Sequence, residues 1–280
     1  MATLRFVKAH GSGNDFVYVD ARGGFPGDPA ALAPHLCDRH RGIGADGLVL
    51  LAPSETADCR MIIFNSDGSR PEMCGNGIRG FARWAHEHHG FAPDGRLRVE
   101  TDAGVKTVEL VRRDGHVAAV TVDMGAPELD GRRIPVDADG EVVDRPLAVA
   151  GRTWAVTCVS MGNPHCVTFV DQPLAGLDLA TVGPQFERHP FFPKRVNTEF
   201  VRVAGRSRLE MRVWERGAGE TQACGTGACA VAVAAARTGR AERAVDVVLP
   251  GGTLAIDWRA DGHVFMTGDA VEVFHGTIEV

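Results

Sequence analysis

Two cysteines that share one local pattern are the residues of this sequence best suited to chemistry. Cys74 lies in "PEMCGNGIRGFA" and Cys224 in "ETQACGTGACA", and a glycine-rich run that predicts a helix follows each of them. A helix N-terminus carries unpaired backbone N–H groups and partial positive charge, so it binds anions and favours a thiolate. We therefore expect each helix start to lower the thiol pKa from its ordinary value of about 8.5.

Two such thiols on opposite sides of one small ligand would suit proton transfer at the carbon next to a carboxylate. One group, as thiolate, would remove the α-proton from one face, and the other, as thiol, would return a proton to the opposite face. The stereocentre would invert. Because such a proton is very weakly acidic, backbone N–H groups and a water-free site would have to stabilise the developing negative charge.

The elements that must position these cysteines repeat along the chain. Segments rich in Val, Ile, Thr and Phe, separated by Gly, Asp and Pro turns, predict many strands and few helices. The two clearest helices follow the cysteines and end at Gly90 and Gly239, and a third is predicted in residues 29–42. Since the cysteines stand 150 residues apart, which is about one domain, we interpret the pattern as an internal duplication.

The duplication predicts an α/β (α+β) fold with two pseudo-symmetric domains. Each would be a mostly antiparallel sheet wrapped around a central helix, with the active site in the cleft between the domains. We expect the N-terminal domain over residues 1–124, completed by a C-terminal strand at about 268–280, and the C-terminal domain over 125–267. The loop-like, Pro-containing segment 124–141 marks the expected crossing from one domain to the other.

The composition argues against several classes of function. The formal net charge is −6 and basic residues are scattered, so no nucleic-acid-binding surface is indicated. The N-terminus lacks the apolar core of a signal peptide, and the small apolar stretch 228–236 is far shorter than the roughly 20 residues of a membrane span. These features predict a soluble, cytoplasmic protein.

The sequence also gives no sign of a metal site or an organic cofactor. Its seven cysteines, an odd number without any Cys-x-x-Cys pair, fit neither a disulfide framework nor a zinc ribbon. Only three lysines are present, which leaves few candidates for the Schiff base that pyridoxal phosphate requires. We expect no metal and no cofactor.

Six blocks of the sequence, in order and at matching spacing, make it resemble the diaminopimelate epimerases, pyridoxal-independent enzymes of the lysine and cell-wall pathway. The resemblance covers essentially the whole chain. It rests on "HGSGNDFV" (10–17), "RGIGADGLVLL" (41–51), "FNSDGSRPEMCGNGIRGFA" (64–82), "MGNPHCV" (161–167), "RVNTEFV" (195–201) and "WERGAGETQACGTGACA" (214–230). It implies cofactor-independent epimerisation of LL-2,6-diaminopimelate to meso-diaminopimelate by a two-cysteine acid–base mechanism, in a homodimer.

The resemblance also assigns roles to individual residues. The catalytic pair falls on Cys74 and Cys224, which agrees with the choice made from their pattern. The backbone N–H groups next to each cysteine would bind the reacting carboxylate, His165 and Glu215 would each tune the pKa of a different catalytic thiol, and Arg216 would clamp the distal carboxylate. The implied substrate-binding residues are Asn14, Asn65, Gly75, Asn76, Asn163, Asn197, Glu215, Arg216, Gly225 and Thr226.

Two of these expectations meet a competing observation, and one further position departs from the family pattern. Asn163 precedes a proline and Asn65 precedes Ser-Asp-Gly, so both also have the context of ordinary turn residues. Gly47 departs from the family pattern, since many members carry glutamine there. A glycine cannot supply that amide side chain, so its hydrogen bond would be lost or moved to water or backbone.

Other functions stay open from the residues alone. Proline racemases and hydroxyproline epimerases use the same paired thiols, but a histidine typically stands where this chain has Asn76, and they do not need Arg216. Phenazine-biosynthesis-like isomerases share the architecture but lack the cysteine pair. A thiol redox sensor or a non-catalytic amino-acid-binding protein would not turn over an amino acid.

Overall fold

A computed structural model describes residues 2–280, in which strands dominate. The strands are β1 (Thr3–Gly11), β2 (Asn14–Asp20), β3 (Gly47–Ala52), β4 (Cys59–Asn65), β5 (Arg96–Thr101), β6 (Gly104–Arg113), β7 (His116–Asp123), β8 (Arg145–Val149), β9 (Arg152–Ser160), β10 (Pro164–Phe169), β11 (Asn197–Gly205), β12 (Arg208–Glu215), β13 (Gly219–Glu220), β14 (Ala244–Leu249), β15 (Gly252–Trp258), β16 (Val264–Gly268) and β17 (Val271–Glu279). The helices are α1 (Pro29–Cys37), α2 (Gly75–His89), α3 (Leu179–Glu187) and α4 (Gly225–Arg237), with a 3₁₀ turn at Leu174–Gly176.

The chain divides into two compact units, Met1–Asp123 with Thr267–Val280, and Met124–Met266. We call them the first unit and the second unit. In the first unit, eight strands pair in the order β17-β1-β2-β3-β4-β5-β6-β7, and only β2/β3 and β4/β5 are parallel. Because a parallel pair needs a crossover connection, α1 joins β2 to β3 and α2 joins β4 to β5.

The second unit repeats this arrangement. Its strands pair in the order β8-β9-β10-β11-β12-β14-β15, with β10/β11 and β12/β14 parallel and joined through α3 and α4. From β17 to β6 and from β8 to β15, parallel and antiparallel pairs follow one another in the same order. The predicted α/β (α+β) fold with two pseudo-symmetric, mostly antiparallel halves is confirmed.

One helix lies at the centre of each unit. In the first unit α2 contacts β1, β2, β3, β6, β7 and β17, and in the second unit α4 contacts β9, β10, β11, β12, β14 and β15. Each helix therefore touches strands from nearly the whole width of its sheet. The run Ala228–Ala235 of α4 is fully buried, which accounts for its almost entirely apolar sequence.

Strand alternation decides which side chains meet α2. Val17 and Leu48 pack with α1 in one apolar cluster, whereas the neighbouring Tyr18 points the other way and donates from its hydroxyl to the Gly77 carbonyl oxygen at 3.0 Å. A Cβ at Gly80 would stand 2.3 Å from the Tyr18 hydroxyl, so only glycine allows this close approach of strand and helix.

The helices that follow the two cysteines end as predicted, since Gly90 (φ 72°) and Gly239 (φ 70°) have the left-handed conformation typical of helix ends. The sequence did not predict α3 or β8. Helix α3 contains Gly183 and Pro184 and has weak intrinsic propensity, so its stability comes from buried Leu179 and Phe186. Within residues 2–280, no helix has the length and apolarity that crossing a membrane requires.

Candidate active site

Both cysteines cap the helices that follow them. Cys74 and Cys224 have extended backbone conformations, and each Sγ accepts a hydrogen bond from the third helical amide, of Gly77 or Gly227, at 3.4 Å. The sulfur takes the place that a serine or aspartate oxygen occupies in an ordinary N-cap. Each thiol therefore lies at the positive end of a helix, in contact with one backbone N–H group.

The amides between each cysteine and its sulfur-bound glycine belong to the predicted carboxylate-binding residues. These are Gly75 and Asn76 in α2, and Gly225 and Thr226 in α4. As the first two residues of their helices, they carry N–H groups that the helix itself cannot satisfy. Each thiol thus lies beside two backbone donors suited to an anion.

In the first unit, Asn14 connects the thiol to neighbouring side chains. Its Oδ1 lies 3.7 Å from Cys74 Sγ and accepts a hydrogen bond from Asn76 Nδ2 at 3.3 Å. Its Nδ2 donates to Asp46 Oδ2 at 2.6 Å. Because an ionised carboxylate only accepts, Asp46 fixes this amide with its oxygen towards the thiol.

A charged network holds the start of β2, where Asn14 lies. Asp15 forms ion pairs with Lys8 at 2.6 Å and Arg39 at 2.7 Å, and Arg39 also reaches Asp46 at 2.8 Å. Burial acts to raise the pKa of Asp15, but the hydrogen bonds from Arg39 and Lys8 outweigh it and hold the pKa well below its ordinary value. Asp15 is therefore ionised, and the network fixes the backbone next to Asn14.

Sequence reasoning missed Arg79, which is fully buried beneath the first turn of α2. Its guanidinium donates to Asn76 Oδ1 at 3.0 Å, to Ser12 Oγ at 3.1 Å and to the Asp269 carbonyl oxygen at 3.0 Å. It thereby orients the Asn76 side chain. A cation near a helix N-terminus opposes the helix dipole, and this mismatch in "GNGIRG" is the signal that could have indicated a buried partner.

Asn65 and Gly47 are paired across β3 and β4. Asn65 is exposed, and its Nδ2 donates to Ser69 Oγ at 2.8 Å within a turn, in keeping with its sequence context. A Cβ at Gly47 would stand 2.6 Å from the Phe64 carbonyl oxygen and 3.2 Å from the Phe16 ring. This backbone therefore has no room for the glutamine that many family members carry.

In the second unit, the environment of Cys224 differs from the expectation. Cys224 is 5% exposed, and burial raises the pKa of its thiol well above the ordinary value, with further increases from Glu215 and Glu199. The hydrogen bonds from Thr226 and Gly227 act in the opposite direction but are weaker. The expectation of a lowered pKa was wrong for this thiol because burial and two nearby carboxylates outweigh the helix N-terminus.

Glu215 lies next to this thiol. Burial raises the pKa of its carboxyl group, while hydrogen bonds from Thr221 and Cys224 and the charge of His165 partly offset that increase. Thr221 Oγ1 donates to Glu215 Oε1, which fixes the carboxyl group beside the helix start. Glu215 and Cys224 thus lie close enough for each to influence the pKa of the other.

His165 lies on β10 with its ring entirely buried. Nδ1 is 2.7 Å from Glu199 Oε1, and Nε2 is 2.9 Å from Asn163 Oδ1. Glu199, also entirely buried, was not predicted. The signal was available in "NTEFVRV", where a carboxylate occupies a strand whose other buried positions carry no charge.

Asn197 and Arg216 meet at the ends of β11 and β12. Asn197 Oδ1 accepts from the Arg216 backbone N–H at 2.8 Å, and its Nδ2 donates to the Pro164 carbonyl oxygen at 3.3 Å. The Arg216 guanidinium is exposed and donates to the Lys194 carbonyl oxygen at 3.1 Å. Glu215 and Arg216 make separate contacts, as the alternation of a strand end implies.

The structure thus gathers most predicted residues around one sulfur or the other. Asn14 and Asn76 meet Cys74 in the first unit, whereas Glu215 and Thr226 meet Cys224 in the second. The side chains of Asn65, Asn197 and Arg216 bond instead to Ser69, to the Pro164 carbonyl oxygen and to the Lys194 carbonyl oxygen.

Comparison with known proteins identifies the same family that the sequence blocks resemble. A sequence model described as diaminopimelate epimerase matches residues 6–129 and 157–273. A diaminopimelate epimerase from Moorella thermoacetica is 57% identical over 276 residues, which is 98% of this chain and 98% of the relative. A second, from a Synechocystis species, is 54% identical and covers 99% of both chains.

Solved structures share the fold at much lower sequence identity. A hydroxyproline epimerase from Agrobacterium vitis superposes with a TM-score of 0.67 at 18% identity, covering 99% of this chain and 92% of the other. A PhzF-family phenazine biosynthesis protein from Bacillus anthracis gives a TM-score of 0.70 at 16% identity, covering all of both chains. These two similarities concern the fold alone.

Proposed function

Because this chain belongs to the diaminopimelate epimerase family, whose members are isomerases, we propose that it converts LL-2,6-diaminopimelate to meso-diaminopimelate without a cofactor. The observation that supports this most directly is the pair of cysteines at helix starts. Each sulfur accepts a backbone N–H bond at 3.4 Å and lies beside two further amides. No proline-specific feature accompanies them, since Asn76 occupies the position where proline racemases typically have histidine.

The proton transfer uses one thiolate and one thiol acting on the same α-carbon. The base takes the α-proton, the electron pair of that C–H bond moves towards the carboxylate, and the opposite thiol gives its own proton to the carbon. Amides of Gly75, Asn76, Gly225 and Thr226 stabilise the negative charge that develops on the carboxylate oxygens. The enzyme ends with base and acid exchanged, so the reverse reaction uses the same two groups.

The raised pKa of Cys224 supports a definite resting state. Since this thiol keeps its proton near neutral pH, Cys224 serves as the proton donor and Cys74 as the base when the unliganded protein first meets substrate. The carboxyl group of Glu215, hydrogen-bonded to Cys224, accepts from the thiol and holds the S–H group in place. Each completed turnover reverses the assignment.

The non-reacting end of the substrate carries an ammonium and a second carboxylate. Arg216, whose guanidinium is exposed, binds the distal carboxylate, and the neutral amides of Asn65, Asn163 and Asn197 accept from or donate to the zwitterion. Arg216→Ala should raise KM for diaminopimelate by about 10- to 100-fold, as expected when a charged hydrogen bond of about 1.5–3 kcal/mol is lost. An unchanged KM in steady-state assays would remove Arg216 from this role.

The family resemblance extends the proposal to the setting of the reaction. We propose that the enzyme acts in the cytoplasm, in lysine and peptidoglycan precursor biosynthesis, as a homodimer. Light scattering coupled to size exclusion tests the assembly directly. A mass of one chain at working concentrations would contradict the dimer without affecting the proposed chemistry.

The decisive experiment is incubation of the reduced protein with LL-diaminopimelate in deuterated water, followed by NMR. Because the donor thiol exchanges with solvent, early meso product should carry deuterium at the inverted carbon while the remaining LL substrate keeps its α-hydrogen. L-Proline serves as the matched control substrate and should gain no deuterium. Deuterium entering recovered LL substrate as fast as product would contradict the two-base scheme, and an unchanged LL substrate would contradict the proposed function.

A further inference from the structure

A fully buried arginine lies beneath the first turn of α2. The Arg79 side chain has no exposed surface, although burying a charge is costly and a cation near a helix N-terminus opposes the helix dipole. Room for it depends on Gly11, since a Cβ there would stand 2.8 Å from Arg79 Nη2. Neither packing nor helix stability therefore explains an arginine at this position, and its contacts point towards the thiol.

Hydrogen bonds anchor the guanidinium to three segments of the first unit. Nη2 donates to Ser12 Oγ at 3.1 Å, and Nε donates to the Asp269 carbonyl oxygen at 3.0 Å. Nη1 donates to Asn76 Oδ1 at 3.0 Å and to the Gly75 carbonyl oxygen at 3.3 Å. The Asp269 carboxylate lies 4.0 Å from the guanidinium and accepts instead from the Ser12 N–H group at 2.9 Å. The guanidinium is thus held in one place, with Asn76 as its side-chain partner in the helix.

This contact decides how the Asn76 side chain is oriented. A guanidinium has donors but no acceptor, so the Asn76 atom that faces it must be the oxygen. The NH₂ group of Asn76 then faces Asn14, whose Oδ1 accepts from it at 3.3 Å and lies 3.7 Å from Cys74 Sγ. Because arginine keeps its charge in proteins, this orientation does not change with pH.

The second unit shows that a helix start of this kind does not itself need the cation. Buried Cys229 follows Cys224 at the same distance along the chain, five residues, as Arg79 follows Cys74. Both sulfurs nevertheless accept the same 3.4 Å bond from the third helical amide. The capping geometry is therefore independent of the arginine.

The arginine accompanies a change in the second residue of the helix. In α4 this residue is Thr226, whose hydroxyl oxygen lies 3.5 Å from Cys224 Sγ. In α2 it is Asn76, which is connected to its sulfur through Asn14. An amide can turn either its oxygen or its nitrogen towards a neighbour, whereas a hydroxyl both donates and accepts through one atom. Arg79 therefore occurs in the unit that has an amide to orient.

We propose that Arg79 is a positioning residue for the epimerisation and acts through Asn76, whose NH₂ group it keeps turned towards Asn14 and Cys74. This inference rests on the proposed function. Negative charge develops on the reacting carboxylate at the Gly75 and Asn76 backbone amides, and a side-chain oxygen turned to that side would repel it. Since this charge is largest in the transition state, the contribution of Arg79 should appear in kcat more than in KM.

The kinetic test is a cycle of Arg79→Met, Asn76→Ala and the double variant. Arg79→Met should lower kcat by about 10- to 100-fold, the factor for loss of a hydrogen bond from a charged group, with KM for diaminopimelate within about threefold of wild type. In the Asn76→Ala background the same change should cost less than about threefold, because no amide is left to orient. Arg79→Lys, whose ammonium only donates, should recover part of the lost kcat. Equal losses in both backgrounds would overturn the proposal.

A measurement without substrate tests the orientation itself. The side-chain NH₂ group of Asn76 gives ¹H–¹⁵N NMR signals, which are assigned by their loss in Asn76→Ala. In Arg79→Met these protons should exchange with water about tenfold faster than in wild type, since the bond that holds the amide is lost. Unchanged exchange would overturn the proposal. An inactive wild type would refute the proposed function and leave this measurement intact.

Arg83→Met is the matched control. Arg83 lies one turn further along α2 and donates to the Ala270 carbonyl oxygen at 2.6 Å and to Glu87 at 3.0 Å. The change removes the same charge from the same helix without touching the Asn76 amide, so kcat, KM and NH₂ exchange should stay at wild-type values. Effects equal to those of Arg79→Met would show that charge on the helix is what matters, and would overturn the proposal. If Arg79→Met does not fold, the wild-type signal decides: slow exchange supports the proposal, and exchange as fast as in free asparagine contradicts it.

Discussion

The two helix starts place their sulfurs on the same backbone frame but surround them with different chemistry. In the first unit, the space beside Gly77 is lined by Cys74 Cβ, Ile63 and the Phe16 ring, at 3.5–3.6 Å from a hypothetical Cβ. In the second, the space beside Gly227 is occupied by the Glu199 carboxylate and Cys224 itself. One thiol is partly exposed beside neutral amides, and the other is buried beside carboxylates.

This difference shows that the backbone that the two units share fixes where each sulfur lies but does not fix its protonation state. The N-cap geometry is nearly identical, with the same 3.4 Å bond to the third amide in both units. The residues that set charge around Cys224 come from strands β10, β11 and β12, at positions where the first unit is apolar or amide-bearing. A reaction that needs one acid and one base gains from such an asymmetry.

The largest expected effect comes from removing either sulfur. Cys74→Ala and Cys224→Ala should each lower epimerisation of diaminopimelate by about 10³-fold or more, because general acid–base catalysis contributes about 10²–10⁴-fold and neither thiol can replace the other. Coupled assay of meso product measures the loss. Despite their different surroundings, the two variants should be equally inactive.

Cys229→Ala, one turn further along α4 and also buried, is the matched control and should stay active. Circular dichroism should show all three variants folded. Turnover within tenfold of wild type in either catalytic variant would mean that the two halves do not share the proton transfer.

The next effect follows from giving β10 and β11 of the second unit the residues of β2 and β3 in the first, where Phe16 and Val49 stand at the positions of His165 and Glu199. The double change His165→Phe with Glu199→Val should lower turnover by about 10²-fold. It should leave the free energy of unfolding nearly unchanged or higher, since replacing both partners of a buried hydrogen bond by apolar groups is nearly neutral or stabilising. Urea unfolding and steady-state assays measure the two quantities separately.

The single change Glu199→Val provides the contrast, because it leaves the buried Nδ1 of His165 without its partner and should destabilise by about 1–3 kcal/mol. If the double variant had as low a free energy of unfolding as this single one, the residues of the first unit would not fit the corresponding positions of the second. If the double variant kept full activity, the contact between His165 and Glu199 would have no part in the reaction.

The sequence predicted the features that depend on a local pattern of residues. Cys-Gly-x-Gly before an apolar run predicts a helix start with a capping sulfur, and Gly90 and Gly239 mark where the helices end. Strand-rich segments and the repeated motif predicted the two pseudo-symmetric halves. These features depend on residues within a few positions of one another, so one sequence suffices to infer them.

What the sequence did not predict depends on contacts between distant residues. Arg79 bonds to Ser12 and Asp269, and Glu199 Oε1 contacts His165, none of them near in sequence. The raised pKa of Cys224 arises from burial by the surrounding strands, which a helix-dipole argument ignores. Local rules therefore located the reactive groups, while tertiary packing decided their charge.

A smaller effect concerns stability at alkaline pH. Because the folded pKa of Cys224 is raised, folding keeps a proton that the unfolded thiol releases above about pH 8.5, so stability is complete below that pH and falls above it. The free energy of unfolding should decline up to about 1.4 kcal/mol per pH unit more steeply in wild type than in Cys224→Ala.

Urea titrations at pH 8, 9 and 10 measure this difference. Burial also raises the pKa of Cys37 to about 11 and of Cys59 to about 12, but both thiols remain in each protein and cancel in the comparison. Parallel decline of the two curves would mean that Cys224 is not buried as a protonated thiol.

The smallest expected effect tests whether the first unit has an outer partner that corresponds to Glu199. Asp46 fixes the Asn14 amide through a 2.6 Å bond to Nδ2, but its carboxylate is partly exposed and Arg39 shares it. Asp46→Ala also removes the acceptor of the Asp15 backbone N–H group at 3.1 Å and of Arg39, but only the bond to Asn14 reaches a group beside the thiol. It should lower kcat/KM by only about three- to tenfold, since loss of that bond costs about 0.5–1.5 kcal/mol and Asn76 still binds the Asn14 oxygen. Asp46→Asn, which keeps an acceptor oxygen, should recover part of the loss.

Asp102→Ala, which removes an exposed carboxylate that pairs with Arg70, is the control for general weakening of the first unit. A loss as large as that of the double change at His165 and Glu199 would show that both thiols need a polar outer partner, and the contrast between a carboxylate and an amide environment would then not distinguish the two halves.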